Sequence, residues 1–240
     1  MADDRVVPSQ WPRRFCCDEE LAFIGYDGRD AAKDLASWRR RGPRRETTEL
    51  IDVIRANGVE GATVLDVGAG VGIVHLSLLE AGAAAAVDVD ASPDYLATAR
   101  AEAERRGLAD RVDYRYGDVV ELADELPAAD IVTLDAVICC YPYLEALVAA
   151  ATRSRPRLVG LTYPRDVWFM LLFMRLYNAV HPVRGRYFAY RHRHVRALLK
   201  AAGYDEVHDG GSAVWRVAAY RHRNGDRPSD VKASVDPLGQ

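Results

Sequence analysis

Between Val64 and Gly72 the chain reads VLDVGAGVG. A short apolar run, a cluster of glycines and then a helix-forming stretch describe a strand, a tight turn and a helix start. Such a turn brings backbone N–H groups close to a ligand. Gly68, Gly70 and Gly72 stand at G-x-G-x-G spacing, with Ala69 inside the loop. A dinucleotide-phosphate turn, G-x-G-x-x-G, wants glycine or alanine where this chain has Ile73. Asp66 lies two residues before the first glycine. A carboxylate there repels a pyrophosphate and suits a ligand that carries positive charge.

Further carboxylates follow at the ends of later apolar runs. Asp88 and Asp90 share one side-chain parity. Asp90 immediately precedes Ala91-Ser92-Pro93, so it is placed at the strand end, where an acid bonds ribose hydroxyls. Asp88 is set back by about 6.5 Å of extended strand and reads as a solvated surface residue. Asp118, in YGDVV, falls in the next loop. It can accept an adenine amino group or cap the loop, and Val119 beside it can pack on the ring.

The elements that must carry these residues alternate. DAAKDLASWRR (30–40) reads as a helix stopped by Gly42-Pro43, and ETTELIDVIRANG as a second, ended by Gly58. Strands are expected at 62–67, 83–90, 111–116, 129–138 and 157–164. Helices between them run over 70–81, from Ser92-Pro93-Asp94 to Gly107, and through LEALVAAATRS. A helix HVRALLKAAG then leads to YDEVHD and SAVWRVAAYR, joined by a turn at HDGGS. Strands separated by helix-length segments imply a parallel sheet covered on both faces, closed here by a terminal hairpin. The polar tail after His222 has no periodicity and is expected to be disordered.

The chain has 240 residues, 49% of them hydrophobic, which suits one α/β domain with additions. A net charge of −3 gives no reason to expect nucleic acid as a partner. The cysteines form two adjacent pairs, Cys16–Cys17 and Cys139–Cys140. Neighbouring cysteines rarely both reach one tetrahedral ion, so no metal site is expected. Nothing in the spacing suggests secreted disulfides, and a cytoplasmic setting follows. The start of the chain lacks the apolar core of a signal peptide. The longest apolar run, VWFMLLFM (167–174), is too short for a transmembrane segment. The excess of arginine over lysine and the abundant alanine fit a GC-rich bacterial source.

Taken together, VLDVGAGVG, VDASPDYL, YGDVVEL and ADIVTLDAV resemble motifs I to IV of the class I S-adenosylmethionine-dependent methyltransferases, in order and spacing, over about residues 60 to 165. The resemblance implies a Rossmann-like α/β sheet, mostly parallel with an antiparallel last strand. It also implies roles. Asp66 and the Gly68–Gly72 loop surround the methionine portion, with Asp66 reaching its amino group. Asp90 holds the ribose hydroxyls, Ala91 and Val119 sandwich adenine, and Asp118 bonds its amino group. Asp135 borders the methyl-transfer side. The product would be S-adenosylhomocysteine.

Methyl transfer is an in-line displacement, so alignment of nucleophile and methyl supplies much of the acceleration, about 7–11 kcal/mol. A general base is needed only for a protonated nucleophile. Candidates for that role are Tyr141, His181 and His75, although His75 sits in the first turns of a helix and reads more simply as a helix-surface residue. Cys139 and Cys140 read as small apolar filler. The aromatic run YPRDVWFMLLFMRLYNAV is either a packing helix or a wall for an apolar substrate, within a substrate-side insertion over about 164–196. Arg184, Arg186 and Arg191 stand near it for an acidic group. SWRRRG, ICCYP and this aromatic segment also resemble the magnesium-protoporphyrin O-methyltransferase group, which has His-Tyr-Pro where this chain has Cys140-Tyr141-Pro142. By that resemblance Ser37–Gly42 would fold over the cofactor within a helical cap spanning 1–58, ahead of a methyltransferase domain at 59–222 and the tail at 223–240. The function expected is methylation of a small, largely apolar or aromatic molecule, with oxygen as the favoured acceptor. The alternatives are a cyclase or isomerase using the sulfonium charge, a non-catalytic binding module, and an RNA methyltransferase served by the arginines at 39–45 and 184–196. No motif specifies an oligomeric state.

Overall fold

The computed structural model describes residues 27–141, 143–165 and 194–225. Two helices, α1 (Gly28–Arg41) and α2 (Arg45–Ala56), precede the alternating part. That part runs β1 (Thr63–Val67), α3 (Ile73–Glu80), β2 (Ala85–Asp90), α4 (Pro93–Arg106), β3 (Val112–Tyr116), α5 (Val119–Leu122), β4 (Ile131–Asp135), α6 (Leu144–Thr152) and β5 (Leu158–Pro164). It closes with α7 (Val195–Ala201), β6 (Tyr204–Gly211) and β7 (Trp215–His222).

The strands form one seven-stranded sheet in the order β3-β2-β1-β4-β5-β7-β6. β1 to β5 are parallel, and β7 runs antiparallel between β5 and β6. This is the Rossmann-like methyltransferase sheet with its antiparallel closing hairpin. The central strands are apolar on both sides because helices cover both faces. One face carries α1 to α4, with Trp38, Leu50, Ile54, Leu76 and Ile131 in a single core. The other carries α5 to α7, with Leu65, Val132, Leu147, Leu161 and Leu199. The boundary expected at 58/59 therefore falls inside one continuous core. Residues of α1 and α2 bury their apolar sides on the same sheet face as α3.

Three boundaries move for local reasons. α3 begins at Ile73, not Gly70, because Gly70 and Gly72 take left-handed φ values of 59° and 82°. β4 stops at Asp135 because Ala136 turns to φ 62°, and a 3₁₀ turn, Ile138–Cys140, follows. The terminal turn lies at 212–214, beginning at the last residue of HDGGS, because β6 runs on through Gly211. There Ser212 holds Trp215 twice, by N–H to carbonyl at 2.8 Å and by Oγ accepting the Trp215 N–H at 3.1 Å. No helix among the described residues is long and apolar enough to cross a membrane, and none of their His, Cys, Asp and Glu side chains group as a metal site.

Candidate active site at the switch point of the sheet

Strand order reverses between β1 and β4, and ligands of such sheets lie beyond the carboxyl ends of the strands there. Register stacks the polar residues in rows on the face that carries α3. Asp66 pairs with Asp88 and with Thr133, and Asp88 pairs with Tyr114. Two residues further along, about 6.5 Å toward the cleft, the same parity brings Gly68, Asp90, Asp135 and Thr162 to the strand ends. The upper row faces the loops; the lower row lies beneath them.

The glycine loop is fixed from both flanks. Gly68 donates to the Val89 carbonyl at 2.7 Å, and Gly70 donates to Asp90 Oδ2 at 2.9 Å. Gly68 has φ 61°, and a Cβ there would lie 2.7 Å from Val137 Cγ2, so the loop after β1 closes against the loop after β4 only as glycine. Asp90 also accepts the Ser92 N–H through Oδ1 at 2.8 Å. Burial raises its pKa, against the opposing effect of the Ser92 and Gly70 amides. Its oxygens accept the Gly70 and Ser92 amides, the Ala91 amide is a further donor, and a carboxylate has about four acceptor positions. Ala91 and Ala69 are half-buried at the same end.

Asp118 caps α5, accepting the Val120 N–H at 2.8 Å. It also accepts the Tyr141 hydroxyl, at 2.9 Å on Oδ1 and 2.8 Å on Oδ2. Tyr141 is thus a buried residue whose polar tip faces Asp118, which takes it out of the role of free acid or base. Val119 is also buried, within the second core, and offers no open side-chain face to a ring.

The largest departures concern Asp66, His75 and Asp88. Asp66 was expected to reach a ligand; its side chain is buried and already accepts three hydrogen bonds from within the protein. Oδ1 accepts Thr133 Oγ1 at 2.6 Å, and Oδ2 accepts both the His75 N–H at 3.2 Å and His75 Nδ1 at 3.0 Å. His75 is the third residue of α3, so Asp66 supplies from β1 the cap that Gly72, lacking a side chain, cannot. His75 is neither on a helix surface nor open to a substrate: it is 0% exposed. Asp88 is likewise 0% exposed rather than solvated, because α3 lies over it.

On the far side of Gly68, Asp135 gathers residues from three elements. Thr162 Oγ1 of β5 donates to its Oδ1, and Thr47 Oγ1 of α2 donates to its Oδ2 at 2.6 Å. Arg44 Nη2 stands 3.5 Å from Oδ1 and lies over the Trp215 ring. Thr47, Thr133 and Thr162 are absent from the sequence reading, and Arg44 entered it only within the arginine cluster at 39–45. Thr133 and Thr162 left a signal, a polar residue inside an apolar strand at the parity of the aspartates. Thr47 and Arg44 left none, since their contact spans from α2 to β4. Cys139 is buried and Cys140 exposed, their sulfurs 3.7 Å apart.

Residues 64–155 match the family profile of the methyltransferase domain. Over that stretch, somewhat more than a third of the chain, the sequence is similar to that domain. Among curated proteins, a ribosomal protein L11 methyltransferase of Enterobacter sp. strain 638 is 40% identical over 55 residues, 23% of this chain. That stretch is 19% of the relative, so the chain spans about a fifth of its length. Among solved structures, magnesium protoporphyrin IX methyltransferase from Synechocystis PCC 6803 with bound SAH aligns at TM-score 0.65 and 17% identity, over 85% of this chain and all of that one. An O-methyltransferase family protein from Burkholderia thailandensis aligns at TM-score 0.65 and 15% identity, over 88% and 65%. At these identities the structures speak for the fold.

Within the methyltransferase fold, Ser37–Gly42 closes α1 against α4 and does not lie over the cleft. Trp38 is buried under the Arg106 guanidinium, 4.2 Å from the ring centroid, and Arg39 pairs with Glu102. Nearer the cleft, Asp34 of α1 accepts the Tyr95 hydroxyl at 2.7 Å. His181, the aromatic segment after Arg165, Pro142, the arginines at 184–191 and the tail beyond Gly225 lie outside the described residues.

Proposed function

We propose that this chain is an S-adenosylmethionine-dependent methyltransferase acting on a small, largely apolar or aromatic molecule, with a hydroxyl oxygen as the acceptor. One observation carries the reading: the Asp90 and Asp118 carboxylates stand at the loops after β2 and β3, both on the β2 side of the glycine loop, and border the cleft at the strand ends. Carboxylates at that border disfavour a pyrophosphate and favour a ligand with ammonium and sulfonium charges. When bound, S-adenosylmethionine supplies an electrophilic methyl carbon on positive sulfur. Asp90 would hold its ribose hydroxyls and Asp118 the adenine amine. The Gly68–Gly72 backbone would line the methionine portion.

On the acceptor side, Asp135 is the group best placed among the described residues to take a proton from a hydroxyl. Thr47 and Thr162 fix its orientation, and its side chain is 16% exposed. Tyr141 and His75 are withdrawn from that task by Asp118 and Asp66. The half-buried Tyr143, edge-on to Tyr141, gives that side an aromatic border. Engagement of Arg39 by Glu102 and Arg44 by Asp135 counts against an RNA-binding stripe.

Calorimetry with S-adenosylmethionine and S-adenosylhomocysteine tests the cofactor; absence of binding by both ends the reading. A panel of phenols and carboxylic acids, assayed for S-adenosylhomocysteine release, tests the acceptor. Conversion of a substrate without that release would identify a cyclase or isomerase instead.

A further inference from the structure

Beneath the glycine loop lies a cluster of ionisable groups that the proposed reaction does not use. His75 of α3 is inserted between two strand carboxylates. Its Nδ1 donates to Asp66 at 3.0 Å, and its Nε2 faces Asp88 Oδ2 at 3.9 Å. All three side chains are at least 99% buried. Nε2 of His75, both oxygens of Asp88 and the Tyr114 hydroxyl make no hydrogen bond among the described residues. The ring touches the loop itself: a Cβ on Gly72 would stand 2.9 Å from His75 Cε1 and 3.0 Å from Nε2. An apolar side chain would fill this volume without the cost of burying charge.

We propose that Asp66, His75 and Asp88 form a buried, charge-compensated support that holds the Gly68–Gly72 loop in its binding shape, with His75 as a positioning residue for the cofactor. The link from cluster to ligand runs through backbone. Asp66 fixes the His75 amide at the start of α3, and His75 sets how closely Gly72 can approach. Gly72 in turn closes the loop by donating to Ala69 at 3.0 Å.

The charge state of the cluster depends on pH. Burial opposes the imidazolium, but the Asp66 hydrogen bond and the charges of Asp88 and Asp66 outweigh it and raise the His75 pKa. Burial pushes Asp88 up to about 8; His75 opposes this, and Asp66 and Asp90 add to it. Tyr114 of β3 faces Asp88 from the other side, with Arg100 and Glu104 of α4 around its ring. Below about 8 Asp88 is then held neutral beside His75. A folded pKa raised above the unfolded one means that stabilisation is present at low pH and drains as pH rises through about 8. Above that pH the buried Asp88 carboxylate charges beneath the loop.

The inference into cofactor binding rests on the S-adenosylmethionine reading, so the test has two independent arms. The first titrates S-adenosylhomocysteine calorimetrically from about pH 6 to 9 against the wild-type chain and the variants Asp88→Asn, His75→Leu and His75→Gln. Expected are a wild-type affinity that falls on the alkaline side, an Asp88→Asn variant without that fall, and His75→Leu weaker by about tenfold. His75→Gln, which keeps an N–H for Asp66, should recover part of the loss. An unchanged alkaline fall in Asp88→Asn, or wild-type affinity in His75→Leu, overturns the proposal. The second arm needs no cofactor. Amide hydrogen exchange of the ligand-free chain should quicken at Gly70 and Gly72 in His75→Leu, while the β4 and β5 amides stay protected. Equal exchange in variant and wild type overturns the support role. If S-adenosylhomocysteine fails to bind the wild-type chain, the cofactor reading falls and this arm alone decides the support.

Discussion

The Tyr141 hydroxyl lies 2.9 and 2.8 Å from the two carboxylate oxygens of Asp118, joining the loop after β4 to the loop after β3 across the cleft. A hydrogen bond to a charged acceptor is worth about 1.5–3 kcal/mol. Tyr141→Phe should therefore weaken S-adenosylhomocysteine binding by roughly tenfold, through a less ordered Asp118, and leave kcat within about threefold. A tyrosine acting as general base would behave in the opposite way, with binding kept and kcat down by about 10²–10⁴. Calorimetry and steady-state kinetics on the one variant separate these outcomes.

Asp90 has a double duty, accepting Gly70 N–H and Ser92 N–H while ending β2 at the cleft. Asp90→Ala removes a ligand acceptor and frees the glycine loop together. A loss of about 2 kcal/mol, roughly thirtyfold in Kd, is expected in calorimetry, with circular dichroism confirming the fold. Unchanged affinity would move the ribose role to another acid.

The strands, their mostly parallel run and the closing hairpin were readable because each depends on local signals: apolar runs, a Ser-Pro-Asp helix start, glycine stops. The placement of Asp90 at the loop followed from strand parity and its position just before Ala91-Ser92-Pro93. What one strand cannot reveal is which helix covers it. Asp88 has the same parity as Asp90, yet α3 buries it, and the sequence pattern of β2 alone treats both alike. His75 illustrates the same limit. α3 is apolar around nearly its whole circumference, so no hydrophobic stripe announced that a histidine within it would point at the sheet. Asp135 drew its partners from residues 44, 47 and 162, contacts set by tertiary packing rather than spacing.

Gly68 gives a prediction about the loop that is independent of ligand. Its φ of 61° costs an alanine about 1–2 kcal/mol, and the new methyl would also meet Val137 Cγ2 at 2.7 Å. Gly68→Ala should lower the denaturation midpoint by more than the backbone term alone. Adding Val137→Ala removes the steric part only, so the double variant should be less destabilised than the sum of the two singles. Strict additivity in urea melts would place the two loops further apart than the structure does.

Glu102 supplies the acid-side counterpart. Its buried carboxylate accepts from Arg105, Arg39 and Arg106, tying α1 to α4, and Arg106 in turn covers Trp38. The Arg105 hydrogen bonds, against burial and with help from Arg39 and Arg106, hold its pKa well below the usual carboxylate range. The folded pKa is depressed, so the stabilisation is fully present above the unfolded value of 4.5 and is lost as pH falls toward the folded one. Arg39 and Arg105 are about half exposed, so solvent screens part of the effect. Glu102→Gln should cost about 2 kcal/mol at pH 7. It should also flatten the fall in melting temperature between about pH 5 and 3. Thermal melts across that range check both, and a variant that keeps the wild-type acid slope would assign the acid sensitivity to other carboxylates.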